Sequence, residues 1–140
     1  MKLVQITDCH VTGAVGKTYR GEDPREQLAS VIDAAMAWGP DLVLATGDLS
    51  EDASEASYEH LAQAFARLPA PVLATPGNHD DAQRLAARFP HCAIEAPLTF
   101  EDDWQLLLVG SAKPGLIGGR LDPEQLDALE VLLAGDGRPA

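Results

Sequence analysis

The sequence is short of basic residues and cysteine, and each shortage removes a class of function. Ten lysines and arginines face 22 acidic residues, a formal net charge of -12, and the ten form no cluster able to follow a nucleic-acid backbone or an anionic membrane. Neither nucleic acid nor membrane is expected as a partner. A small phosphorylated substrate stays open, because bound divalent ions reverse the local field whatever the overall charge. Two cysteines, Cys9 and Cys92, are too few and too unpatterned for a disulfide framework or a CxxC zinc site, so reduced thiols are expected. No apolar run reaches membrane-spanning length, and Met1-Lys2-Leu3 leads into no secretory h-region. A cytoplasmic protein is the expectation. Internal repeats and low-complexity segments are absent too.

What is present is enough for one core. The 140 residues, 46% hydrophobic, are expected to form a single domain over 1–140. Three short apolar runs, Leu3 to Thr7, Leu42 to Thr46 and Val72 to Thr75, read as strands. Between them lie two amphipathic helices. The first opens at Pro24, places Leu28, Val31, Ile32, Ala35 and Met36 at helical spacing, and stops at Gly39-Pro40. The second runs roughly from Ser54 to Arg67, with Tyr58, Leu61, Ala62 and Phe65 on one face. That order predicts a βαβαβ unit with a parallel sheet. A third helix is expected from about Asp81 to Arg88, then strands over Cys92 to Phe100 and Trp104 to Val109 joined by a hairpin turn at Glu101-Asp102-Asp103. Asp122-Pro123-Glu124-Gln125 starts a last helix, to about Ala134. Trp38 and Trp104 are assigned to core or edge packing.

Each of the three strands delivers polar residues at its carboxyl end: Asp8-Cys9-His10, Gly47-Asp48, and Pro76-Gly77-Asn78-His79-Asp80. Open α/β sheets bind ligands at that end, so the three clusters point to one site. In an extended backbone residues two apart face the same way, which lets Asp8 and His10 grip one ion while Cys9 faces elsewhere. A carboxylate with an imidazole suits Mn, Fe, Co, Ni or Zn better than Ca. Gly47 permits a sharp turn, leaving both oxygens of Asp48 free to bridge two ions. Asn78 offers a neutral carbonyl oxygen, and His79 can reach a substrate oxygen as general acid or cation. Taken singly, each motif is ordinary turn chemistry. Gly16-Lys17-Thr18 is set aside as a P-loop, since Val11 stands where its first glycine belongs and no helix begins at Thr18. His60 and His91 are assigned solvated or packing roles.

The combination D-x-H, G-D and G-N-H-D, each after a strand, closely resembles the calcineurin-like metallophosphoesterases, and within them the bacterial class III cyclic-nucleotide phosphodiesterases. Tyr58 and the segment Gly118 to Leu126 extend the likeness over nearly the whole chain. The resemblance implies an α/β/β/α sandwich and two divalent transition-metal ions. Asp8 and His10 would bind the first, Asp48 would bridge, Asn78 would bind the second, and His79 would act beside the scissile phosphate. A hydroxide between ions about 3.5 to 4 Å apart would then hydrolyse a small phosphodiester such as a 3',5'-cyclic nucleotide.

The chain departs from the family pattern by lacking a later metal-binding histidine and a G-H-x-H motif, so the fold is expected to be truncated. The first ion then keeps Asp8, His10 and Asp48, and the second only Asp48 and Asn78. Weak or absent activity is expected, with a homodimer through an uncovered sheet edge as one consequence. The alternative is a non-catalytic scaffold of the same fold that binds a partner protein.

Overall fold

In the computed structural model residues 1–94, 97–101 and 105–135 are described. The chain runs β1 (Leu3–Thr7), α1 (Pro24–Trp38), β2 (Leu42–Thr46), α2 (Glu55–Phe65), β3 (Val72–Thr75), α3 (Ala82–Arg88), β4 (Leu98–Glu101), β5 (Gln105–Leu108) and α4 (Pro123–Ala134). The first three strands form a parallel sheet in the order β1-β2-β3, with Thr7, Thr46 and Thr75 in register at the carboxyl end. Three strand ends therefore stop at one level.

The apolar runs are continuous because the central strand is buried on both faces. Val43 and Ala45 face a core of Leu28, Ile32, Leu61 and Phe65 supplied by α1 and α2. Leu42 and Leu44, pointing the other way, meet Leu73, Ala93 and Leu108. The antiparallel β4–β5 hairpin thus lies over the opposite face as a second sheet, consistent with the sandwich expected from the sequence.

Capping fixes where the helices begin. Asp23, Ser54 and Asp81 each accept a backbone N–H of the first turn, while Gly39 closes α1 in the left-handed region at φ 67°. Ser54 and Asp81 are caps, so α2 and α3 start one residue later than the sequence reading places them.

Other differences have local causes. The strand expected from Cys92 shortens to Leu98–Glu101, because Cys92 makes only a single parallel bridge to Ala74 beside β3. On α1 only Leu28, Ile32 and Ala35 reach the core; Val31 and Met36 are exposed on the helix flank. Trp38 is not a core residue: it is 49% exposed, with the Lys2 ammonium over its ring. Asp102, Asp103 and Trp104, from the expected turn and strand, lie outside the described residues.

Candidate metal centre

The strand ends do not continue as extended chain. Asp8 and His10 adopt φ of 55° and 45°, Gly47 and Asp48 φ of 74° and 49°. The pairing of Asp8 with His10 is therefore made by left-handed turns rather than by strand alternation, which corrects the geometric premise of the sequence reading. Both turns are held across the strand gap: Asp8 N–H donates to Gly47 O at 3.1 Å, and His10 N–H to Asp48 O at 2.9 Å.

This brings three expected residues together. Asp8, His10 and Asp48 each place a ligand-type atom within 4.8 Å of the others, and His10 Nε2 lies 4.0 Å from Asp8 Oδ1. Asp8, Asp48 and Asn78 line one open cleft of about 290 Å³, together with Ser111, Leu116 and Ile117. His10 and His79 do not line it. His10 is buried, its ring stacked on Tyr19 at 4.1 Å and met edge-on by His79 at 5.1 Å. Among the described residues, His60 and His91 join no such group.

Asp48 is less free than its turn suggests. Its Oδ1 already accepts the His79 backbone N–H at 3.1 Å, leaving Oδ2 and the remaining lone pairs for an ion.

The sequence reading missed Glu51. Its Oε2 lies 2.9 Å from His10 Nδ1 and 3.2 Å from His79 Nδ1, so one carboxylate faces both imidazoles. The only signal in the sequence was its place three residues after Asp48 in the same loop. A proton on His10 Nδ1 would be directed at Glu51, and Nε2 is the nitrogen that faces Asp8. Carboxylates behind ligating imidazoles fix their tautomer in this way.

Asp80, the last residue of the third cluster, faces inward. It accepts from the backbone of Leu49 at 3.1 Å, Ser50 at 2.9 Å and Gly77 at 2.9 Å, and from the Tyr58 hydroxyl at 3.2 Å. Burial pushes its carboxyl above the usual range, against the downward pull of those hydrogen bonds. Cys9 also faces inward, packed against the helix-side core, and burial followed by the charges of Asp80 and Asp8 pushes its thiol up to about 12.

An open parallel sheet with an acidic cleft at its carboxyl end places the chain among the α/β proteins that bind their ligands where the strands end. Among them the chain belongs to the calcineurin-like phosphoesterase family, whose profile matches residues 1–134. It is 36% identical over 142 residues to a probable cyclic nucleotide phosphodiesterase of Synechococcus, covering 99% of this chain and 55% of that protein. The 3',5'-cyclic adenosine monophosphate phosphodiesterase CpdA of Escherichia coli is 33% identical over 138 residues, covering 96% and 50% respectively. CpdA of Pseudomonas aeruginosa is 33% identical over 129 residues, covering 91% and 47%. The chain thus spans about half the length of the curated relatives it matches. No described helix is long and apolar enough to cross a membrane.

Proposed function

We propose that the chain carries the amino-terminal half of a two-metal phosphodiesterase centre acting on a small phosphodiester such as a 3',5'-cyclic nucleotide. The single observation that carries this reading is the convergence of Asp8, His10 and Asp48 within 4.8 Å at one end of the parallel sheet. Two carboxylates and an imidazole make a donor set suited to Mn, Fe, Co, Ni or Zn. Asp8 and His10 Nε2 would hold the first ion, Asp48 both, and Asn78 the second.

Such ions, when bound, polarise phosphoryl oxygens and lower the pKa of water. The residues of the chain supply the rest. Glu51 keeps the His10 proton on Nδ1, so that Nε2 presents a lone pair toward Asp8. The same carboxylate faces His79 Nδ1; in the imidazolium form, with Nδ1–H held by Glu51, His79 would give its Nε2 proton to the leaving oxygen and end as the neutral ring. The His79 backbone N–H orients Asp48.

Among the described residues we count three side-chain ligands for the first ion and two for the second, and we take residues 1–140 as a single domain. A manganese titration of the chain should show one site filled before the other, with slow hydrolysis of bis(p-nitrophenyl) phosphate that Asp48→Ala abolishes. Two equally tight ions with fast turnover would contradict the ligand count. Turnover in the cytoplasm accords with the two free thiols, Cys9 and Cys92.

A second reading draws on the apolar surface of α4, where Leu126, Val131 and Leu133 are each more than half exposed. There the chain is a non-catalytic scaffold for a partner protein or a second copy, β1 being an outer strand of the three-stranded sheet. Partner binding or dimerisation that survives Asp48→Ala, with no metal-dependent hydrolysis in the wild type, would favour it.

A further inference from the structure

We propose that Asp80, seated on Tyr58, is a positioning residue for the metal centre: it sets the spacing between the loop that carries Asp48 and the loop that carries Asn78. The inference rests on the metal-site reading above.

A carboxylate has about four lone-pair positions. Asp80 fills four: Ser50 N–H and the Tyr58 hydroxyl on Oδ1, Leu49 N–H and Gly77 N–H on Oδ2. No position is left for a cation, so the last acid of the G-N-H-D cluster binds backbone and not metal. The donors it chooses are informative. Leu49 and Ser50 directly follow Asp48, and Gly77 directly precedes Asn78, so the carboxylate joins the peptides adjoining two proposed ligands.

Little else joins them. The β2–β3 ladder ends at the Thr46–Thr75 pair, extended only by Gly47 N–H to Thr75 O at 3.0 Å. Beyond it the two loops leave regular structure, with Asp48 itself at a positive φ of 49°. Among the described residues, residues 48–50 are hydrogen-bonded to residues 76–80 only through the Asp80 carboxylate and through His79 N–H to Asp48 Oδ1.

Tyr58 anchors this carboxylate to the core. The residue is fully buried in α2, and its hydroxyl donates to Asp80 while accepting the Asp81 N–H at 2.7 Å. One phenol therefore grips both Asp80 and the cap of α3. Three N–H donors and a hydroxyl converge on Asp80, and only a group that accepts on both oxygens satisfies them. An amide at this position would turn its NH₂ toward at least one of these N–H groups in either orientation.

The test is manganese affinity of the 140-residue chain, by equilibrium dialysis, with the visible spectrum of the cobalt-loaded protein as a second readout. Asp80→Asn should bind manganese about 10- to 100-fold more weakly, as loss of outer supports does at other metal sites, and should alter the cobalt bands. Tyr58→Phe keeps the carboxylate and should weaken binding several-fold. Ile32→Ala, in the α1 core away from these loops, controls for plain destabilisation. It should lower the melting temperature and leave both metal readouts unchanged. Wild-type affinity and spectrum in Asp80→Asn would overturn the inference. If that variant does not fold, unchanged readouts in Tyr58→Phe would overturn it. A wild-type chain that binds no manganese, or an Asp48→Ala variant that binds as well as wild type, fails the metal-site reading itself and this inference with it. Loss in Asp48→Ala with none in Asp80→Asn or Tyr58→Phe fails this inference alone.

Discussion

A methyl group on Gly77 would lie 2.1 Å from Asp48 Oδ1 and 2.2 Å from Asp48 N. The glycine of the third cluster is thus required by close approach to the second, and the proposed bridging carboxylate lies against bare backbone. Gly77→Ala should force the two loops apart, with a cost of about 1–3 kcal/mol from overpacking and weakened manganese binding. Gly118, on the same cleft, has nothing within 4 Å of an added Cβ, so Gly118→Ala should stay within about 0.5 kcal/mol of wild type. Paired thermal melts and metal titrations check both.

Glu51 tests whether His10 is held for metal binding. Glu51→Ala removes the acceptor 2.9 Å from His10 Nδ1 and should lower manganese affinity by about 10- to 100-fold while the helical circular dichroism is retained. Affinity equal to wild type would show that the imidazole is oriented by its stack on Tyr19 alone.

His60 gives the chain a pH-dependent component away from the site. Burial first, then the nearby Arg25, lowers its pKa below 6.5, while Asp23 opposes the shift. The folded protein therefore binds this proton less readily than the unfolded chain does. Its contribution is present above about pH 6.5 and is lost as pH falls toward the lowered folded value. His60→Gln should flatten the drop in melting temperature between about pH 7 and 5. An unchanged slope would contradict this assignment.

The two thiols should be poor nucleophiles in the native state. Burial pushes Cys9 up to about 12 and Cys92 up to about 11, Asp80 adding to both. At pH 8 iodoacetamide should label them far more slowly than in the urea-unfolded chain. Mass spectrometry resolves the difference site by site.

The parallel unit was legible because its signals are local. Continuous runs such as Leu42 to Thr46 and helix boundaries such as Pro24 and Gly39-Pro40 depend on neighbours a few residues away. The hairpin was less so: Cys92 has the look of a strand start, yet its bridge to Ala74 is a long-range pairing with no sequence signature. At the site, the grouping of Asp8, His10 and Asp48 followed from strand order, but the means did not, because left-handed φ at non-glycine residues leaves no trace in composition. Glu51 and Asp80 were hidden for a related reason. In both, the role is fixed by which donors a folded loop brings within 3.2 Å, and an acidic residue in a turn reads as solvated until those donors are known.

The central claim is that divalent ions are held where the parallel strands end. Anomalous scattering from crystals of the chain grown with manganese tests it most directly. We expect a peak bounded by Asp8, His10 Nε2 and Asp48, and a weaker one between Asp48 and Asn78. Peaks located elsewhere, with those four side chains uncoordinated, would contradict the account.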